Sequence, residues 1–575
     1  MIYIFLYSLL SAVYIISCGL CLFKNDDDKI KNLLLSGIFG SIILSFIALF
    51  LNFFTPLDKT VNTLIFLLIL SYGIFNSVKK KILTQMIFIS ILVGVLSALI
   101  LAFDNVNRPD ASLYHLPYTK IINENKIIFG ISNLHFRFGH TSILQYLNSI
   151  FYNEIFKDKG ILIPAANIFS LIVIYFYNEI KINNLKNRIY TLYLFFTLSY
   201  IFYSYNRYSE FGNDTLAHLF FLLISSYFIK EFLYKRTKLD IISNILILSI
   251  FTIMLKPTLI LVAAIPLYCY YFYIKKEYLF NIKNIFIIIF LILYFIKNII
   301  TSGCVLYPVE ITCFEQLPWF SKDEIFAISP KIQSLDNEAW TKGWPDYRGA
   351  EVTQDNYVRK LFWLKTWLLG HGFLIFKKLS IFIIFIYIIY LIIKKFDKKN
   401  KISKKTYKIE HIKIRRKVKF LLFISFLGTL IWFFRFPVFR YGSSYVILFV
   451  IFSSVLLITK NYQSNKKDIN LLKFFNNSLL IIFLFFLTKH TTRIYTNFDM
   501  DYFDAPWPKI YSQVKDSKNG PILADSKFLN EKLAYYINIS PNEGCGYNPS
   551  PCTSLKPSKI IFFEKNNYKF YTLEK

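Results

Sequence analysis

Residues 104–140 read DNVNRPDASLYHLPYTKIINENKIIFGISNLHFRFGH and follow directly on the apolar run Ile82–Phe103. The stretch holds Asp104, Asp110, Glu124, three histidines, two arginines and two tyrosines. On either side, most of the chain consists of continuous apolar runs about as long as a bilayer is thick. A helix needs roughly 20 apolar residues to cross the hydrocarbon core. The pattern predicts an all-α polytopic membrane protein with this polar stretch lying at a membrane face.

Composition narrows the class further. Of 575 residues, 55% are hydrophobic, and mean hydropathy is +0.44. A soluble domain of this length could not keep so much apolar surface out of water. The runs are continuous rather than alternating, which excludes a β-barrel. Net charge is 66 − 36 = +30, but the lysines gather in the links between apolar runs. That pattern matches the positive-inside rule and anionic lipid headgroups, so the expected partners include membrane lipids and not nucleic acid. The first run, Ile2–Phe23, has no basic segment before it and no small-residue cleavage site after it. It is expected to remain as a membrane helix.

Working outward, four runs precede the polar stretch: Ile2–Phe23, Leu33–Phe54, Val61–Phe75 and Ile82–Phe103. Lys79, Lys80 and Lys81 put the link before the fourth run inside, and so put residues 104–140 outside. Two amphipathic segments, around Leu113–Lys126 and His140–Phe156, are expected to lie along the outer interface. The alternative for His140–Phe156 is a span, which would invert every later loop. Further runs follow at Gly160–Tyr177, Ile189–Tyr205, Thr215–Phe232, Asp240–Lys256, Pro257–Ile274 and Asn284–Ile300. Pro257 explains one break, since proline lacks an N–H and clashes with the preceding turn. The last four are Phe373–Ile393, Phe420–Phe434, Ser443–Ile458 and Leu479–Leu487. About 12–14 membrane helices are therefore expected.

The expected units are 1–103, N-terminal membrane helices; 104–159, an outer catalytic loop; 160–302, a membrane core; 303–372, a long outer loop; 373–488, C-terminal membrane helices; and 489–575, a small outer α/β domain. In that last unit, 521–524, 560–563 and 569–573 look like strands and Lys527–Ile537 looks helical. Cys18, Cys21 and Cys269 fall in expected spans. The other four cysteines fall in outer segments as two short-range pairs, Cys304 with Cys313 and Cys545 with Cys552. Even numbers in an oxidising space suggest two local disulfides. A zinc site is the alternative, although neither pair has CxxC spacing.

Several outer residues could carry chemistry. Asp104 and Asp110 are the first-loop acids nearest the membrane, where burial and nearby cations can tune a carboxylate. Asp110 also precedes a plausible helix start, so capping competes with catalysis. Asp214 could be a second acid or a cap, and Glu210 is a weaker candidate. Lys256 sits at a tight outer tip, and Arg435 and Arg440 flank Pro437 in another outer turn. A guanidinium fork suits phosphate, though each base could instead reach to lipid headgroups. Arg108, Arg137, His135 and His140 read mainly as solvated loop residues.

AspAlaSerLeuTyrHisLeuPro at 110–117 resembles the first-loop D-x-x-x-Y-H-x-P signature of bacterial integral-membrane GT-C glycosyltransferases. Relatives of that family include the lipid-phosphate-sugar-dependent protein mannosyltransferases and the aminoarabinose transferase. GlyHisThrSerIleLeuGlnTyrLeu at 139–147 resembles their second interfacial helix, with Thr141-Ser142 in place of two prolines. GlyCysValLeuTyrPro at 303–308 is similar to a G-x-P-L-Y-P element, with Val305 departing from it. PheArgPheProValPheArgTyrGly at 434–442 resembles a late-loop P-x-x-R-Y/F element.

The resemblance covers Asp104 to about Ile458. It implies a GT-C-like helical bundle at a bacterial cytoplasmic membrane, with its site facing the exterior. It implies transfer of a sugar from a polyprenyl-phosphate donor to a glycan, lipid or protein acceptor, with inversion. Asp110 maps to the family's first-loop acidic residue, the catalytic base that takes the acceptor's proton. Tyr114 and His115 map to the helix behind it, with interfacial anchoring as the alternative for Tyr114. Asp104, Asp214, Lys256, Arg435 and Arg440 complete the expected binding set. Some GT-C enzymes use a divalent metal and others do not, so a divalent cation stays open. Two other classes compete: a cell-envelope polysaccharide polymerase or ligase, and a transporter or lipid flippase. The last predicts ionisable residues in mid-span.

Overall fold

Each of the fourteen apolar runs is helical over most of its described residues in the computed structural model. It describes residues 2–22, 28–102, 110–183, 187–205, 212–231, 239–273, 282–321, 329–344, 353–399, 408–459 and 469–496, with short pieces of 515–573. The first four helices are α1 (Ile2–Gly19), α2 (Lys29–Asn52), α3 (Lys59–Lys79) and α4 (Leu83–Leu101). The polar stretch contributes α5 (Leu116–Glu124) and α6 (Ile143–Ser149). Then come α7 (Ile163–Asn183), α8 (Arg188–Ser204), α9 (Asp214–Glu231), α10 (Leu239–Leu255), α11 (Ala264–Tyr273) and α12 (Ile282–Ser302). The long loop holds α13 (Pro330–Thr341), α14 (Gln354–Arg359) and α15 (Trp363–Trp367). Last are α16 (Phe373–Lys399), α17 (Lys408–Arg435), α18 (Phe439–Ile458) and α19 (Ile469–Thr496).

Among the described residues, ten helices are long and apolar enough to cross a membrane, and two shorter apolar ones occupy Ile241–Leu255 and Pro257–Phe272. The protein is thus a mostly helical, polytopic membrane protein. The count differs from the number of apolar runs because α8, α9, α10 and α11 are shorter or more polar than a full span. α8 is buried on nearly every side, as expected of a helix that is apolar all round. α3 is the contrasting case. It packs inward through Asn62, Phe66, Gly73 and Ser77 and turns Leu64, Leu67, Leu68 and Phe75 outward. α1 and α2 touch backbone to backbone: a Cβ at Gly40 would lie 2.0 Å from the Ile15 carbonyl oxygen. Small residues permit such close approach where lipid supplies no hydrophobic drive between helices.

The amphipathic segments are packed inside the protein and lack the outward apolar face that lying along a lipid interface requires. All seven residues of α6 are buried, and α5 buries everything but Lys120 and Glu124. α6 is too short to span, and Ser142 and Gln145 close its start as a capping box. Polar side chains fix both helices inside the fold. Asn62 and Asn123 both donate to the carbonyls of Leu57 and Ser149, and Asn52 donates to those of Ile122 and Asn125.

The C-terminal chain covers α5. Its described strands are β1 (Lys515–Asp516) with β2 (Gly520–Pro521), then β3 (Ser526–Phe528), β4 (Tyr536–Asn538) and β5 (Cys552–Thr553), then the hairpin β6 (Ile560–Lys565) and β7 (Tyr568–Leu573). The segment expected to be helical over Lys527–Ile537 is described only at its ends. Its two ends are instead the strands β3 and β4, whose backbones pair antiparallel, and 529–535 lie outside the described residues. Most of the strand expected at 521–524 also lies outside them. The hairpin turns at Asn566-Asn567, both with positive φ, as a two-residue turn between twisted strands requires.

Phe129 joins β7 through two backbone hydrogen bonds, and its ring stacks on Phe570 at 4.3 Å. Cys545 and Cys552 form one disulfide, and Cys304 and Cys313 the other. Within the first loop so closed, Tyr547 donates to Asn123 and Ser550 to Glu124. Cys18 and Cys269 are buried thiols in helices, whereas Cys21 is exposed just beyond α1 rather than inside it.

Gly130 is the hinge of this docking. Its φ is +66°, and a Cβ there would come 2.2 Å from the Tyr571 carbonyl oxygen. Gly130→Ala should therefore loosen β7 from the polar loop. Limited proteolysis of the solubilised protein should cut the C-terminal hairpin several-fold faster in the variant, with the helical circular dichroism unchanged.

Candidate functional site: a charged centre at one end of the bundle

Two prolines and a helix start bring the charges together. Pro257 ends α10, so Lys256 lies just past the helix with an extended backbone. Pro437 separates α17 from α18 and leaves Arg440 in the first turn of α18. Asp214 is the first residue of α9, and Asp110 immediately precedes a π-helical turn, Ala111–His115, that runs into α5. Both aspartates therefore sit at the positive end of a helix, where a carboxylate is favoured.

Asp110 does not cap its helix through its side chain. Its carboxylate instead accepts from Arg137 Nη1 at 2.6 Å and from Arg440 Nη1 at 3.0 Å. Arg440 Nε lies 3.9 Å from Asp214 Oδ2, and Asp214 also pairs with Lys256. One guanidinium thus faces two carboxylates. Burial pushes the Asp110 carboxyl up, but Arg440 and then Arg137 more than offset it and hold it below its usual value. Burial also pushes the Lys256 ammonium down, with Asp214 opposing.

Each cation rests against an aromatic face. Arg137 lies 5.1 Å from the Tyr114 ring, Lys256 4.2 Å from Tyr441, and Arg440 5.2 Å from Tyr441 and 5.4 Å from Trp340. These contacts orient the bases while leaving their N–H groups for anions. His218, buried in α9, completes the frame. It meets the Arg440 carbonyl and Ser444 Oγ, each at 2.8 Å.

Of the residues singled out from sequence, Asp110, Asp214, Lys256, Arg440, Tyr114 and His115 meet here. Asp104, Arg108 and Glu210 lie outside the described residues. Arg435 does not join the centre. It pairs with Glu338 of α13 at 3.0 Å and stays largely exposed, because the turn at Pro437 sends it and Arg440 to different partners. Arg137, read as a solvated loop residue, is instead a direct partner of Asp110. His218, Tyr441 and Trp340 were not singled out. His218 and Trp340 carried no local signal, whereas Tyr441 lies inside the motif at 434–442. Among the described residues, no three or more of His, Cys, Asp and Glu gather to hold a metal ion.

A model described as a domain of unknown function (DUF8201) matches residues 1–447. The chain belongs to that family. The DUF8201 match takes in Asp110, Arg137, Asp214, Lys256 and Arg440, and ends before the C-terminal strands that cover α5. The family description carries no activity. No curated protein and no solved structure matches the chain.

His115 gives the centre a pH signature. It is buried, and burial pushes its imidazole down to about 4, although Asp110 and Asp214 pull the other way. The neutral ring accepts from Gln145 Nε2, whose own oxygen is taken by the Ser142 N–H. Unfolded, the same imidazole has a pKa of about 6.5. The unfolded chain therefore binds more protons between these values, and stability falls as pH drops from about 6.5 to 4, by up to about 3 kcal/mol. Thermal unfolding of His115→Gln should be flatter across that window than wild type. Equal slopes would remove the buried neutral imidazole from the account.

Proposed function

We propose that the chain is a membrane-embedded, inverting GT-C-type glycosyltransferase. It takes a sugar from a polyprenyl-phosphate donor and passes it to a glycan, lipid or protein acceptor at the outer face of a bacterial cytoplasmic membrane. The observation that supports this reading most is the joint hold of Arg137 and Arg440 on Asp110, beside the Asp214–Lys256 pair.

In that hold Asp110 is a weak base, because two guanidiniums stabilise its ionised form. A donor phosphate has the geometry and charge to compete for the same guanidinium forks. Once it takes them, Asp110 loses its partners and its pKa rises towards a value suited to accepting a proton. The freed carboxylate then takes the proton of the acceptor hydroxyl. The acceptor oxygen forms a bond to the anomeric carbon while the bond from that carbon to the phosphate oxygen breaks. The lipid phosphate departs with the electron pair, and Arg440 and Arg137 stabilise its charge. Lys256 is committed to Asp214 and keeps that second acid ionised. Arg435, engaged with Glu338, has no part in this scheme.

The test is transfer from a polyprenyl-phosphate sugar in reconstituted vesicles. Asp110→Asn should lower turnover by roughly 10²–10⁴-fold, the usual worth of a general base. Folding should be retained by size-exclusion and thermal criteria, and Arg435→Gln should stay within about threefold of wild type. Wild-type turnover by Asp110→Asn would favour the polymerase or ligase class instead, and vectorial uptake without transfer would favour a transporter.

A further inference from the structure

Trp340 stands at the rim of the charged centre with 48% of its surface exposed. One face meets the Arg440 guanidinium, 5.4 Å from the ring centroid. The rest of the indole is a large apolar surface open for another apolar face to cover. Its neighbours show that it is held there rigidly. Ala339 beside it is fully buried, in a cluster with Tyr357, Trp363, Trp367 and Trp432. Lys342, two residues after Trp340, bonds Glu338 at 2.6 Å and lies 4.9 Å from the Trp363 ring, and its carbonyl accepts from Tyr357 Oη. A tryptophan on a mobile loop could fold away, whereas this one is held by its helix with one face open beside Arg440.

We infer that Trp340 is the stacking platform for the sugar carried on the lipid phosphate. This rests on the reading of the centre as a lipid-phosphate glycosyltransferase site. The C–H face of a pyranose ring is apolar and slightly positive, and it matches the negative face of an indole. A phosphate seated on Arg440 would present its attached ring within reach of the same residue's aromatic neighbour. Trp340 would then select donors that carry a sugar from those that carry none.

The test is calorimetric binding to the solubilised full chain with two probes: farnesyl phosphate, and farnesyl phosphate bearing glucose, mannose or N-acetylglucosamine. In wild type at least one glycosylated probe should bind more tightly than farnesyl phosphate. Trp340→Ala should weaken that probe about tenfold and change farnesyl phosphate by less than twofold, and Trp340→Phe should recover most of the loss. Loss of both probes equally, or of neither, overturns the platform and leaves the lipid-phosphate reading standing. Failure of wild type to bind any of these phosphates overturns that reading and the platform with it.

Discussion

Arg440 is the residue on which the charged centre depends. Its guanidinium meets Asp110 from the polar loop and Asp214 from the start of α9, while its carbonyl is held by His218. Both aspartates lie more than two hundred residues before Arg440 in the chain. A cation at a helix N-terminus is misplaced relative to the helix dipole, so its position needs acids nearby. The two aspartates supply that need, and Arg137 and Lys256 in turn keep both of them ionised. Arg440 and the two aspartates are only partly exposed, so each depends on the others for compensation, and Lys256, almost fully buried, depends on Asp214 most.

A second set of charges marks the opposite end of the helices. There Glu179 of α7, almost fully buried, accepts from Lys230 of α9 at 2.6 Å and from Tyr190 of α8 at 3.1 Å. Charges inside a helical membrane protein are costly unless paired or aimed at a polar cavity. One more buried ammonium, Lys297 of α12, rests on Thr141 Oγ1 at 2.5 Å and on the face of Tyr294. Because Thr141 immediately precedes the capping box of α6, this contact ties a membrane helix to the loop that carries Asp110 and Arg137.

The fold class was legible because apolar run length reports directly on helices of membrane dimensions. That signal alone places α4 to within two residues, whereas α1 ends four residues before its apolar run does and α2 starts four residues before its run. The burial of α5 and α6 was not: α6 packs against α2 and α5, and an amphipathic segment such as α5, packed under a C-terminal chain, looks like one lying on a lipid surface. Deciding between them requires Tyr547, Ser550 and Phe570, which lie more than four hundred residues away. Asp110, Asp214, Lys256 and Arg440 were legible as polar residues at the ends of apolar runs on one expected face. Arg435 and Arg137 exchanged roles because a side chain's partner across the fold leaves no local trace. Two arginines five residues apart looked equivalent until Pro437 separated the helices that carry them.

The most direct test of the account is the protonation of Asp110 with and without a lipid phosphate. Infrared titration of the solubilised full chain, with Asp110→Asn identifying the band, would follow that carboxyl in farnesyl phosphate and in buffer. The account predicts that the phosphate draws Arg137 and Arg440 away and that the apparent pKa of Asp110 rises on binding. A carboxyl that titrates at the same low pH in both states would contradict it.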